Sequence, residues 1–155
     1  FKQKTAYEIR NCDWSSTCAL PIYSLIVFIY KIYMKITKIF FHIINILFLI
    51  FYLYPGSILG FLLYKDFSKQ PQVTPDFIFS SNHVYAFIVL TLLGLISHIN
   101  KNSIIFYFLF LSISLELFHL VIPNRSFQFG DLFGNILGVL ISILILKIYR
   151  NLEKK

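Results

Sequence analysis

Four long apolar runs, at residues 36–54, 77–99, 104–122 and 132–146, limit more than anything else what this chain can fold into. Crossing the hydrocarbon of a bilayer as a helix takes about 20 mainly apolar residues. Each run approaches or reaches that length and ends at a polar or Pro/Gly-bearing stretch. Water is the wrong solvent for them, because the chain is 57% hydrophobic and only 14% charged, against about a quarter charged in an ordinary soluble domain. The expected fold is therefore all-α, an integral membrane bundle of four transmembrane helices.

The breaks between the runs give the expected topology. Tyr54-Pro55-Gly56-Ser57 stops the first span, since Pro cannot continue a helix and Gly frees the backbone. Tyr52 and Tyr54 sit where amphipathic rings favour the headgroup level. Ser57–Tyr64 is apolar but too short to cross, so it is expected at the interface or dipping in. Lys65–Asp76 is polar and reads as an external loop, and Pro123–Gly130 as a second outer turn. His98-Ile99-Asn100-Lys101-Asn102 is a tight inner turn. Lys35, Lys38, Lys101 and the basic tail then share one side, with Glu153 their only acid. The positive-inside rule makes that side cytoplasmic, hence N-in/C-in. The net charge of +7 sits at the ends of apolar runs and forms no face, which excludes nucleic acid as a partner. Within the first span, the isolated His42 and Asn45 read as bundle packing.

The stretch 1–22 differs from the rest. It holds both cysteines and the only tryptophan and has no apolar periodicity. It resembles translated read-through of a sequencing adapter, and such segments are kept out of fold reasoning. The only methionine, Met34, is followed by Lys35, Lys38 and a long apolar run, as at the start of an N-in membrane protein. Residues 1–33 are accordingly expected to be a non-native leader, disordered or not genuine. Residues 34–150 form the membrane domain and 151–155 a basic cytoplasmic tail. Cys12 and Cys18 then carry neither a disulfide nor a metal.

Chemistry concentrates between Ser112 and Ser142. An ionisable group within a membrane helix is a functional-site hypothesis by default. Ser112, Glu116 and His119 share one helix face. Asp131, Asn135, Gly138 and Ser142 form a single stripe on the next span. Gly130, Gly134, Gly138 and Ser142 repeat a small-xxx-small pattern that admits a neighbouring backbone. The expected neighbour is the third span, joined by a short turn. The topology brings His83, Glu116, His119, Arg125, Asp131 and Asn135 into the outer half. Two readings stand side by side: a hydrogen-bonded network that only holds helices together, and a pocket. In the pocket, Arg125, Asp131, Asn135, Glu116 and His83 would bind, with Glu116, His119 and His83 the candidates for catalysis. Arg125 would hold an anion, oriented by Asp131, and Glu116 would face His83 or His119. Glu-x-x-His echoes carboxylate-bundle metal sites, but those draw ligands from several helices. With one further His in reach, no metal or other cofactor is expected.

These motifs resemble the VanZ-like family of small bacterial membrane proteins. The matching residues are Pro55-Gly56-Ser57, His83 followed by Tyr85-Ala86-Phe87, Glu116, and Pro123 with Arg125 in PNRSF. Asp131, Asn135 and Gly138 in DLFGNILG complete the match. The resemblance covers nearly the whole chain from Met34. In two places the chain departs: Phe79-Ser80 stand where the family has Asp-Lys, and His119 where it has glutamine. The first removes the acid at the head of the second span. The resemblance implies a multi-pass protein of the bacterial cytoplasmic membrane, belonging to the cell envelope and linked to glycopeptide resistance of the teicoplanin type.

Three functions are weighed. The first is a non-enzymatic envelope protein binding an anionic amphiphile, a cell-wall precursor, a lipid headgroup or a glycopeptide at the outer leaflet. The second is a membrane-embedded hydrolase or transferase on a lipid-linked phosphorylated substrate, with His83, Glu116 and His119 for acid–base work and Arg125 as anion clamp. The third is a proton-coupled transport component. The expected partners are membrane lipids and, for a transport path, further copies of the chain as a homo-oligomer.

Overall fold

The computed structural model describes residues 19–153, except 77 and 99. These residues form five helices and no strand: α1 (Ala19–Leu53), α2 (Ile58–Tyr64), α3 (Ser81–Ser97), α4 (Lys101–Phe118) and α5 (Phe129–Leu152). Three are long and apolar enough to cross a membrane, namely α1 from Tyr23, α4 and α5. The protein is thus an all-α membrane protein. The run 77–99 becomes a helix of 17 residues only, because its start is taken up by the loop before it. Asp76 Oδ1 accepts the Ser81 N–H at 2.7 Å, and the helix begins there.

The chain divides into two units, Phe1–Ile36 and Thr37–Lys155. Of the leader set aside above, residues 1–18 lie outside the described residues. From Ala19 onward the first unit is the opening half of α1. The helix thus starts well before the expected boundary at Ile36. Pro21 falls in the first turn, where a missing N–H is harmless, and nothing from there to Leu53 breaks the helix.

Within the second unit the long helices alternate in direction. At one end, Tyr52 of α1 meets His83 of α3, His119 at the end of α4 and Asn135 of α5. At the other, Phe41 packs on His98 at 5.1 Å and on Phe108 at 6.1 Å. Between them runs a ladder of edge-to-face rings, Phe48 on Phe87 and Phe87 on Phe108, a favoured geometry for aromatic quadrupoles. The interior is as polar as it is apolar: Thr91, Ser112, Glu116, Asn135 and Ser142 are fully buried beside Phe87, Phe108 and Val139. The outside is apolar, with Phe106 and Phe110 about three-quarters exposed. That inversion suits lipid as the solvent, since lipid gives apolar side chains no reason to turn inward.

The glycine stripe of α5 faces α3, not the expected α4. A Cβ at Gly138 would lie 2.6 Å from the Val84 carbonyl oxygen and 2.7 Å from the Phe87 Cβ. One at Gly134 would lie 3.0 Å from the Ser80 carbonyl oxygen. Ser142 continues the stripe by donating to the Ile88 carbonyl at 3.1 Å. The short turn makes α4 and α5 neighbours in sequence, but the small residues select the helix that comes closest. Gly130, nearer the end, has only ordinary contact with Ile78.

Loops close both ends. Asn100 caps α4 by accepting from the Ser103 N–H. Lys101 donates to the Leu95 carbonyl in the last turn of α3, where a cation complements the helix dipole. At the opposite end, Ser57 caps α2 by accepting from Gly60 N–H at 2.9 Å. The chain then folds back so tightly that a Cβ on Gly60 would collide with the Lys69 carbonyl. Asp66 accepts from the Ser68 hydroxyl and backbone N–H, and these bonds, the hydroxyl first, lower its carboxyl pKa. Asn82 anchors the loop to α3 through Val73 N–H and the Pro71 carbonyl.

Candidate functional site

Where α1, α3, α4 and α5 converge, Tyr52 sits at the centre. Its hydroxyl donates to Glu116 Oε1 and accepts from Asn135 Nδ2 at 2.9 Å. His83 Nδ1 lies 2.9 Å from the same hydroxyl and 3.1 Å from Asn135 Oδ1. The phenol has one proton, and Glu116 takes it. Asn135 Oδ1 can only accept. His83 Nδ1 must therefore carry a hydrogen and donate, which turns Nε2 toward Asp131. That nitrogen stands 3.5 Å from Asp131 Oδ2, long for a hydrogen bond.

His119 closes the other flank. Its ring stacks on Tyr52 at 4.9 Å and 13°. One ring nitrogen meets the Tyr52 carbonyl at 3.3 Å, and the other lies 3.6 Å from Glu116 Oε2. Glu116 Oε2 accepts no hydrogen bond, though the residue is fully buried. Among the described residues no Lys or Arg meets either carboxylate of the cluster. An unpaired buried charge is expensive, and the rings of His83 and His119 are the groups that approach these carboxylates, at 3.5 and 3.6 Å.

Arg125 is held at the rim. It donates from Nε to the Tyr54 carbonyl at 3.3 Å and from Nη2 to the Gly56 carbonyl at 2.6 Å. Gly56 adopts a positive φ of 126°, which side-chain-bearing residues rarely reach. The break after α1 therefore presents its carbonyls to the guanidinium. Asp131, expected to orient Arg125, is turned to His83 instead, because its place in the first turn of α5 faces α3. A cavity of about 630 Å³ opens between α1 and α3 beside this cluster. Its wall is apolar at Ile44, Leu47, Phe48 and Leu90 and polar at Asn82, His83, His119 and Arg125.

The structure thus brings His83, Glu116, His119, Asp131 and Asn135 into one cluster and puts Arg125 in the wall of the adjoining cavity. Sequence reasoning missed Tyr52, read there as an interfacial aromatic. Its signal was a spacing: Phe41, Asn45, Phe48 and Tyr52 stand at i, i+4, i+7 and i+11, one inward face of α1. Asn45 on that face donates to the Tyr107 hydroxyl at 2.5 Å, as its packing role requires. His42 remains exposed, its ring beside those of Phe41 and His98.

A family model described as VanZ/LLP1 matches residues 4–150, which takes in part of the leader as well as the bundle. No curated protein and no solved structure matches the chain.

Proposed function

The chain belongs to the VanZ/LLP1 family, and from that premise we propose that it binds an anionic amphiphile in the outer leaflet of the bacterial cytoplasmic membrane. The ligand is a lipid headgroup with its chain, a lipid-linked cell-wall precursor or a glycopeptide of the teicoplanin type, the last tying the protein to glycopeptide resistance in the cell envelope. The observation that carries the reading is the two-sided wall of the cavity between α1 and α3. Its volume of about 630 Å³ falls within the usual range for small-molecule sites. An apolar tail lies along Ile44, Leu47, Phe48 and Leu90, and the head reaches Asn82 and Arg125. Two guanidinium nitrogens of Arg125 are fixed by carbonyls, which leaves Nη1 for a phosphate or carboxylate.

In this proposal α3 is the fourth crossing. Its 17 residues span about 25 Å at 1.5 Å per residue, a shortfall that local thinning of the bilayer accommodates. The cavity end faces outward, because the opposite end carries Lys38, Lys101, Lys147 and Arg150.

Binding is favoured over acid–base catalysis by the imidazoles. The four ring nitrogens of His83 and His119 lie 2.9 to 3.6 Å from protein groups, so acid–base work on a substrate would require these contacts to open. The hydrolase or transferase reading would require turnover of a lipid phosphate that Glu116→Gln and Arg125→Ala abolish.

The test is thermal stability of purified protein titrated with phosphatidylglycerol, phosphatidylcholine of the same chains, and teicoplanin. Melting temperature rises with an anionic ligand and not with phosphatidylcholine, and Arg125→Ala removes the rise. An equal response to both lipids, or an unchanged response in Arg125→Ala, rejects the proposal.

A further inference from the structure

Glu-x-x-His on one helix offers a metal two ligands, where carboxylate-bundle sites draw on several helices. The fold changes that count, because three helices each bring one ligand to the same place. His83 comes from α3, Glu116 from α4 and Asp131 from α5, and one ligand atom from each lies within 4.8 Å of the others. Neighbouring ligands of a tetrahedral cation, each at about 2.1 Å, stand about 3.4 Å apart. Binding therefore requires the three side chains to draw in by up to about 1.4 Å, within reach of small rotations about their side-chain bonds.

The hydrogen bonding of each group favours the same conclusion. A metal-bound histidine donates its other ring N–H to a fixed acceptor, which sets its tautomer. His83 does this already: Nδ1–H is held by Asn135 Oδ1 at 3.1 Å and the Tyr52 hydroxyl at 2.9 Å. The Nε2 lone pair is left facing Asp131 at 3.5 Å. That separation is long for a hydrogen bond but close to the roughly 3.4 Å between two ligands of a tetrahedral cation. Glu116 shows a similar division, with Oε1 held by Tyr52 and Oε2 fully buried without a hydrogen bond, 3.6 Å from a His119 nitrogen. Two carboxylates meet here with no Lys or Arg among the described residues to neutralise them, a balance that a divalent cation supplies.

We propose that His83, Glu116 and Asp131 form a site for one divalent cation, with Asn135 and Tyr52 positioning the ligands. One imidazole and two carboxylates, with no thiolate, select a borderline or hard ion such as Zn²⁺ or Mn²⁺. The site lies beside the cavity, and the inference does not depend on what the cavity holds.

Purified chain in detergent, with Cys12 and Cys18 replaced by serine, is stripped with chelator and titrated with ZnCl₂ and MnCl₂ by calorimetry. Bound metal is then counted by mass spectrometry. The expected result is one equivalent, absent in Glu116→Gln and Asp131→Asn and weakened about tenfold in Asn135→Ala. Because buried variants can fail to fold, X-ray absorption at the zinc edge of the Cys-to-Ser protein reads the ligands directly. A shell of nitrogen and oxygen with one imidazole is expected. Binding lost in His42→Ala and His98→Ala but kept in Asp131→Asn places the ion at the other end and overturns the proposal, as do a shell with two imidazoles and the absence of binding. No lipid enters the titration, so its failure leaves the amphiphile reading untouched.

Discussion

The Tyr52 hydroxyl donates its proton to Glu116, joining α1 to α4 across 64 residues of sequence. The bond fixes more than the pair, because it forces the hydrogen on His83 Nδ1 and so decides which nitrogen faces Asp131. Tyr52→Phe keeps the ring on His119 and removes only the hydroxyl, which donates to Glu116 and accepts from Asn135. A buried acceptor left without a partner costs about 1–3 kcal/mol. Differential scanning fluorimetry should show a lower melting temperature for Tyr52→Phe with helicity intact. Tyr52→Ala should fall further, since it also empties the space of the ring, at about 3–5 kcal/mol for loss of a large aromatic. Equal stability of wild type and Tyr52→Phe would contradict the hydrogen-bond assignment.

The glycine stripe makes a graded prediction. At Gly138 a Cβ would press on the backbone of α3 at 2.6 Å, whereas at Gly130 the nearest atom is 3.7 Å away. Gly138→Ala should destabilise the bundle by about 1–3 kcal/mol, the usual cost of overpacking. Gly130→Ala should stay within about 0.5 kcal/mol. The order of the two melting temperatures checks the α3–α5 contact, and a reversed order contradicts it.

Orientation is tested by labelling. With Cys12 and Cys18 replaced by serine, Arg125→Cys should react with an impermeant maleimide in intact cells, and Lys101→Cys only after permeabilisation. The two positions lie at opposite ends of the bundle. Reaction of both from one side would overturn the proposed four crossings.

The loop over the cavity has a pH dependence of defined sign. The Ser68 hydroxyl and N–H favour the ionised form of Asp66, whose carboxyl is lowered from its ordinary 3.8. A carboxyl lowered on folding stabilises fully above its unfolded value and loses that contribution as pH falls through the folded one. Hydrogen exchange at the Ser68 amide should therefore be slowed by Asp66, relative to Asp66→Asn, at pH 5 to 7. The difference should shrink below about pH 4. A difference that grows on acidification would contradict the assignment.

Much of this protein is written locally. Apolar runs of near-bilayer length determine helices and a membrane, because length and composition act residue by residue. The stripe Asp131, Asn135, Gly138 and Ser142, and the face Ser112, Glu116 and His119, follow from the helical period alone. Even Tyr52 was legible as part of an inward face. Tertiary structure decided which faces meet. It turned the glycines of α5 to α3, gave Asp131 to His83 and left Arg125 to the carbonyls of Tyr54 and Gly56. It also set the amphipathic cavity between α1 and α3. The reason is physical: periodicity fixes which residues share a side of a helix, but the rotation and approach of one helix against another depend on the packing of all of them at once.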